Sequence, residues 1–362
     1  MEEESYDVVV LGAGCGSAVG WRLALDGVRV LIVDRGNGGG STVRNHRVKH
    51  SGAIQEGVSS ARRLWHAFAS MNPLELASLR SRGATFYVQR DRVDQALDRW
   101  AAAGIPFRRS RGAAPPCFAG DAGGAVGFAM PDSVIDYAVL VRELVRQAVA
   151  NGAHVALHTT RTQVVLDGGR AVGVVVEEPA RGARLVRFRH CIVAAGAWAP
   201  EVLAPAGISL PVERWKSHIV TLPDELVPRL TVSLGPSLLV VVPFLGETLV
   251  GDARRVPAGS GDDDAVEPAL AAALRDDVGR VFPRLGAREI DAATVHAGIK
   301  TEAAGHGSRS QDIAVFDHRA HGVEGMTAVF PGKASLMFSL AEQMSAAVRR
   351  LPGRTTPPEE AP

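Results

Sequence analysis

The chain opens with a short β-branched run, Tyr6–Leu11 (YDVVVL), of the kind that predicts a parallel strand covered on both faces. A glycine cluster, Gly12 to Gly16, follows directly. Ser17 to Asp26 (SAVGWRLALD) then has helical composition and stops at Gly27. Val28 to Asp34 (VRVLIVD) reads as a second buried strand. Strand, helix and strand together form a βαβ unit of about 30 residues, the smallest element that binds a dinucleotide.

Beyond it, Gly36 to Gly40 leads into a polar segment, Ser41 to Ile54 (STVRNHRVKHSGAI), and helical patterning resumes from Val58 to Ser81. Gly104 to Gly127 is rich in Gly, Pro and Ala and reads as loop or irregular strand. Asp136 to Asn151 has the apolar spacing of an amphipathic helix and ends at Gly152. Three strand-like segments follow, the last being HCIVAAGAWAP (His190 to Pro200). From Leu210 to Val256 the pattern is β-rich, residues 262–282 read as helical, Met326 to Phe330 as a strand, and Ser335 to Arg350 as a helix. Thr355 to Pro362 has the composition of a disordered tail. The expected fold is α/β, a Rossmann-like nucleotide domain with a second, mostly antiparallel sheet domain. The first comprises residues 1–82, 135–205 and 296–350, the second 83–134 and 206–295, with 351–362 as tail.

Charge narrows the partners. Forty basic and 39 acidic residues leave a formal net charge of +1, which argues against nucleic acid or an anionic membrane surface. No apolar run reaches the ~18 residues of a membrane span. The acidic start Met1-Glu2-Glu3-Glu4 lacks the basic-then-apolar order of a signal peptide. Cys15, Cys117 and Cys191 are odd in number and widely spaced, which fits neither a disulfide framework nor a zinc site, so no metal is expected and the cytoplasm is the simplest setting. Lys49, Lys216, Lys300 and Lys333 are the only lysines among 40 basic residues. Each therefore marks a place where the chain's usual cation, arginine, was not used.

The glycine turn carries readable chemistry. It points the next helix's N-terminus at a pyrophosphate, where free N–H groups and the helix dipole favour an anion. Gly12 and Gly14 fit the first two glycines of the pattern. The third falls on Ser17, with an extra glycine at Gly16. Asp34 closes the second strand, 22 residues after Gly12, where an acid accepts ribose hydroxyls. This unit alone leaves open whether the nucleotide is FAD or NAD.

The order of strand, glycine turn, acidic strand end, polar loop, helix, AAGAW (Ala194 to Trp198) and a final GK-containing helix resembles the D-amino-acid oxidase family of flavoenzymes. That family includes glycine and sarcosine oxidases, L-2-hydroxyglutarate dehydrogenase and glycerol-3-phosphate dehydrogenase. The resemblance spans Tyr6 to about Arg350 and implies FAD, held by Gly12, Gly14, Gly16, Ser17, Asp34, Arg35, Ser41, Thr42, Asn45, His46, Ala195, Gly196, Trp198, Gly332, Lys333, Ala334 and Ser335. N-x-x-V-x-H-x-G (Asn45, Val48, His50, Gly52) is most like the 2-hydroxyacid dehydrogenase branch. GIKT (Gly298 to Thr301) sits where relatives carry an arginine for a substrate carboxylate, and PGKAS (Pro331 to Ser335) resembles an element near the flavin pyrimidine.

The resemblance thus implies an oxidoreductase that takes a hydride from a small amino or hydroxy acid, an anionic small molecule. Lys333 is expected to sit by the flavin, where a cation favours the reduced anion. Lys300 and Lys49 are expected to bind the substrate anion. Lysine at 300 departs from the family pattern and gives up arginine's bidentate fork. His50 has the pKa range of a proton acceptor and equally fits a structural contact with the flavin. His46 or His50 is a candidate for covalent flavin attachment. Arg44 and Arg47 are expected to meet phosphate or solvent, Trp198 to pack, and Trp215, His218 and Arg254 to line the substrate domain. Lys216 would edge a strand.

Gly251-Asp252-Ala253 resembles an element of aromatic hydroxylases, but here it reads as a strand end in the substrate domain. A flavin monooxygenase using NAD(P)H and O2 is the competing enzyme reading, and a non-catalytic or nicotinamide-binding Rossmann protein the third.

Overall fold

A computed structural model describes residues 3–111, 124–234, 238–304 and 312–351. Cys117 and the expected tail beyond Leu351 lie outside the described residues. In chain order the strands are β1 (Glu3–Leu11), β2 (Val30–Val33), β3 (Val48–Lys49), β4 (Leu79–Gln89), β5 (Arg108–Arg109), β6 (Ala125–Ile135), β7 (His154–Ala156), β8 (Arg161–Asp167) and β9 (Arg170–Glu178). They continue with β10 (Gly182–Val193), β11 (Val212–Leu222), β12 (Leu230–Leu234), β13 (Leu238–Phe244), β14 (Glu247–Asp252), β15 (Val256–Pro257), β16 (Thr294–Ala303), β17 (Ala314–Asp317) and β18 (Met326–Phe330).

The first sheet runs β17-β18-β10-β1-β2-β7, with β9 joined to β10 and β8 to β9. Its centre is parallel: β1 pairs with β2 and β10, β10 with β18, and β2 with β7. Both faces are covered, which is why β1 reads as an unbroken apolar run. Val8 and Val10 point to one side, against the helices Gly16–Leu25, Tyr137–Ala150 and Met337–Arg349. Val9 and Leu11 point to the other, against Val174, Val186 and Leu203.

The second sheet runs β15-β11-β14-β13-β12-β4-β6-β3, with β16 on β11 and β5 on β6. All its pairs are antiparallel except β4 with β12. One face buries Phe86, Phe128 and Val240 around Trp100 of the helix Val93–Ala103. The other carries the helix Pro268–Val281 on Val220, Val241 and Val250. The fold is the expected α/β pair of a Rossmann-like domain and a second sheet domain.

The structure corrects several element boundaries. The helical stretch read from Val58 to Ser81 breaks into Val58–Ala69 and Pro73–Ala77, and Leu79 already begins β4. The break is local chemistry: Asn72 caps the second piece, Glu75 returns the capping-box bond, and Pro73 takes the first helical position. Residues 262–267 are not helical; the helix begins at Pro268, again with proline in its first turn. Sheet membership also differs from the sequence spans, because β3, the start of β4 and most of β16 were assigned to the nucleotide part yet pair within the second sheet. Short strands at such a crossover carry no pattern that names their sheet.

Candidate active site

The nucleotide end is built from β1, the turn Gly12–Cys15 and the helix that follows. Gly12 has φ +101°, and a Cβ there would lie 2.6 Å from the Ala194 carbonyl oxygen, so only glycine lets the turn lie flat on the loop after β10. At Gly14 a Cβ would meet the Thr42 hydroxyl at 2.6 Å. Gly16 and Gly20 seat the helix on Val10 and Ile32. The buried Ser17, at the third glycine position, closes the turn by donating to the Gly14 carbonyl oxygen at 2.8 Å. No side chain caps this helix and no acidic residue lies in its first turn. Its free N–H groups are therefore left for an anion. Asp34 accepts from the N–H groups of Ala13 (2.7 Å) and Gly36 (2.7 Å), so the carboxylate orders both walls of the turn.

From this turn a cavity of about 610 Å³ runs between the two sheets, a size suited to one bound cofactor with its substrate. Gly12, Gly14, Asp34, Ser41, Thr42 and Asn45 line its first part, and Ala195, Gly196 and Trp198 its wall. His46, His50, Gly332, Lys333, Ala334 and Ser335 line the far part, together with Lys300. Gly16, Ser17, Arg35 and Lys49 do not line it.

Arg35 instead lies over the Trp198 ring, 4.3 Å from its centre, and pairs with Asp262, to which the Trp198 indole also donates at 2.9 Å. Asp262 opens a run of three aspartates that the sequence pattern had placed in a helix. Asp263 pairs with Lys216 at 2.7 Å and Asp264 with Arg44. Three cations from three elements hold the loop, which is why it is not helical. Lys216 is 6% exposed and belongs to this contact, not to an open strand edge.

The polar loop is positioned by its own chemistry. Asn45 donates to the Thr42 carbonyl oxygen at 2.6 Å and accepts from the Arg47 N–H at 2.8 Å. This holds Arg47 at φ +59°. The loop lies on glycines of the second sheet: a Cβ at Gly251 would fall 1.7 Å from His46 Nε2, and one at Gly298 2.5 Å from the Arg44 carbonyl oxygen. Neither floor glycine was singled out as a site residue in the sequence. The available signal was glycine inside a strand, which marks a close backbone approach. Burial, with His50 and Lys333 adding repulsion, pushes His46 down to about 3, so the ring is neutral at ordinary pH.

At the far end the three lysines separate. Lys49 is 1% exposed, pairs with the equally buried Glu75, and donates to the Ser335 carbonyl oxygen at 2.9 Å. The expectation that it meets a substrate anion is corrected: its ammonium is spent tying the polar loop to the helix Pro73–Ala77. Lys300 lines the cavity and donates to Glu302 at 2.6 Å, while Glu302 also holds Arg255 at 2.8 Å. Arg255 covers the Trp215 ring at 4.1 Å, so Trp215 backs this cluster. Lys333 lies in the turn after β18, its N–H donating to the Pro331 carbonyl oxygen at 2.7 Å, and its ammonium has no hydrogen-bond or ion-pair partner among the described residues. Burial and Lys300 push its ammonium down to about 7, against the pull of Asp132 and Glu302.

His50 lines the cavity beside it, its ring lowered to about 4 by burial and Lys333. The His50 backbone N–H donates to Ser335 Oγ at 3.0 Å. Among the predicted substrate-domain residues, Arg254 reaches the cavity but is held by Asp252 and Asp277. His218 is turned away, accepting from the Glu267 N–H at 2.9 Å. Ile219, Leu238 and Val240 supply an apolar wall that sequence reasoning did not single out.

A family model described as FAD dependent oxidoreductase matches residues 7–330. The chain belongs to this family of flavoproteins, and its cofactor is FAD. A D-amino acid dehydrogenase of Bradyrhizobium diazoefficiens is 30% identical over 181 residues, covering 49% of this chain and 40% of that protein. The crystal structure of glycine oxidase from Geobacillus kaustophilus superposes with a TM-score of 0.74 at 19% identity, covering 96% of this chain and 95% of that one. The glycerol-3-phosphate dehydrogenase of Bacillus halodurans, complexed with FAD, gives a TM-score of 0.71 at 16% identity, over 95% of this chain and 64% of that one. The flavoprotein thus spans less than two thirds of the length of these two dehydrogenases.

Its residues fit the cofactor on structural grounds. The glycine turn leaves a cradle that any Cβ would fill, an uncapped helix N-terminus faces that cradle, and the cavity continues to the turn bearing Lys333. Among the described residues no helix is long and apolar enough to cross a membrane.

Proposed function

We propose that this flavoprotein oxidises a small anionic amino acid or 2-hydroxy acid at the carbon bearing its N–H or O–H group. One observation carries the reading: the Lys333 ammonium, without a hydrogen-bond or ion-pair partner among the described residues, lines the cavity together with Lys300 and the neutral His50. FAD, when bound, supplies the hydride acceptor that this chemistry requires. The chain's own groups do the rest. Lys300 and Lys333 attract and orient the carboxylate, and Lys333, unpaired until an anion arrives, gains the more from it. Ile219, Leu238 and Val240 exclude water from the side-chain pocket. His50 takes the proton from the substrate's O–H or N–H as the C–H hydride departs, so that a keto or imino acid is left.

The names D-amino acid dehydrogenase and glycine oxidase support an amino acid, the name glycerol-3-phosphate dehydrogenase supports another small anion, and the Asn45-to-Gly52 motif supports a hydroxy acid. The match of the FAD-dependent oxidoreductase model over residues 7–330 supports this reading over an NAD(P)H-dependent monooxygenase, and Gly251–Asp252 ends strand β14 without leading into a helix. The free thiols of Cys15 and Cys191 suit a reducing cytoplasm. Anaerobic mixing with a panel of amino and hydroxy acids tests the reading: one of them should bleach the flavin without NAD(P)H. Lys300→Ala should raise KM for that acid by about tenfold or more, and Lys333→Ala should slow flavin reduction. No bleaching by any acid, with bleaching by NAD(P)H alone, would overturn it.

A further inference from the structure

Asp132 has no solvent exposure, a costly place for a carboxylate. It lies on β6 of the second sheet and faces the polar loop just after β3, the strand paired with β6. The Ser51 N–H donates to its Oδ1 at 3.1 Å and the Ser51 hydroxyl to its Oδ2. Among the described residues no lysine or arginine pairs with it. What does face it is His50 Nδ1, 3.6 Å from Oδ1. That nitrogen is itself buried and has no other partner. A buried carboxylate and a buried imidazole nitrogen thus confront each other, each the other's remaining source of compensation.

We propose that Asp132 is a positioning residue for His50. It accepts the Nδ1–H, holds the tautomer whose unprotonated Nε2 serves the cavity, and balances the charge His50 acquires with the substrate proton. The inference rests on the reading of His50 as proton acceptor. The separation of 3.6 Å is one that tightens when substrate closes the site, a common behaviour of such pairs.

The charges around His50 show why the carboxylate is needed. Lys333 faces the ring from the turn after β18, Lys300 from β16, His46 from the same loop, and Asp132 from β6. Both ammoniums make the imidazole a poorer base, and Asp132 alone opposes them. Once Nε2 has taken the proton from the substrate's O–H or N–H, with bound FAD as the group that would accept the hydride, the resulting imidazolium would have a carboxylate at its other edge. The same logic orients the histidine of Ser-His-Asp enzymes.

The test is ¹⁵N-histidine NMR of the FAD-loaded protein, with His50 assigned through His50→Gln, alongside anaerobic flavin reduction across pH. Wild-type His50 should be the Nδ1–H tautomer, and Asp132→Asn should move it towards Nε2–H. That variant should slow flavin reduction on the order of 100-fold with KM changed less than about twofold. An Nε2–H tautomer in the wild-type protein overturns the proposal whether or not any variant folds. So does a tautomer unmoved in Asp132→Asn. If the tautomers behave as expected but no amino or hydroxy acid reduces the flavin, the Asp132–His50 pair stands and the proposed substrate class falls.

Discussion

At the scale of the residue, the decisive contrast is between Lys49 and Lys333. Lys49 ends the two-residue strand β3 and Lys333 lies in the turn after β18, and the sequence offers both as site cations. Lys49 is closed off by Glu75 and the Ser335 carbonyl, whereas the Lys333 ammonium has no hydrogen-bond or ion-pair partner among the described residues. Burial and Lys300 bring Lys333 to about 7. Because this folded value lies below that of an unfolded chain, keeping the ammonium charged costs stability at pH below about 7, and that cost fades as pH rises towards 10. The cation itself is present below about pH 7 and lost above it. For an anionic substrate kcat/KM should therefore fall above pH 7, by up to about tenfold per unit. Lys333→Arg, which stays charged, should abolish that alkaline fall. A profile flat from pH 6 to 9 in the wild-type enzyme would contradict the assignment.

At the scale of the element, short segments are held where they are by single polar contacts. The helix Pro73–Ala77 is only one turn and a half, and its N3 residue, Glu75, caps it with one oxygen while pairing with Lys49 through the other. Replacing Lys49 with Met keeps the bulk and leaves Glu75 buried without its counter-charge. Urea denaturation should show a loss of about 3–5 kcal/mol, with KM for the substrate unchanged in the folded fraction. A shifted KM with unaltered stability would return Lys49 to the substrate site. The loop of Asp262, Asp263 and Asp264 follows the same rule: its pairs with the exposed Arg35 and Arg44 contribute little individually, and the buried Lys216 gives the more sheltered contact. Together they still decide that the segment is a loop, because each aspartate is drawn to a different element.

At the scale of the whole molecule, the cavity exists only between the two sheets. The first sheet brings the glycine turn, Asp34 and the turn bearing Lys333; the second brings Lys300 and the apolar wall. A ligand that touches both should stabilise the molecule as a unit. Stripped of flavin and then given FAD at about 100 times its dissociation constant, the protein should gain about 2.7 kcal/mol. The check is a single thermal transition that moves upward with FAD concentration. Two separate transitions, of which one ignores FAD, would show that the cofactor engages one domain alone.

The sequence by itself determined the βαβ unit, the position of the glycine turn, the cofactor family and the second sheet domain. The unit and the turn follow from local pattern, since buried parallel strands are apolar throughout and a turn that meets a phosphate needs glycine at set intervals; the cofactor came from the resemblance of the whole ordered set to a known family. It also brought His50, Lys300 and Lys333 forward as candidates. Only the tertiary structure decided what each charge faces. Glu75 lies 26 residues from Lys49, Asp132 lies 82 from His50, and Gly251 lies 205 from His46, so no local pattern can reveal these pairs. A side chain's chemistry is written in the sequence, but whether it is spent on the fold or left for a ligand depends on partners brought close by folding.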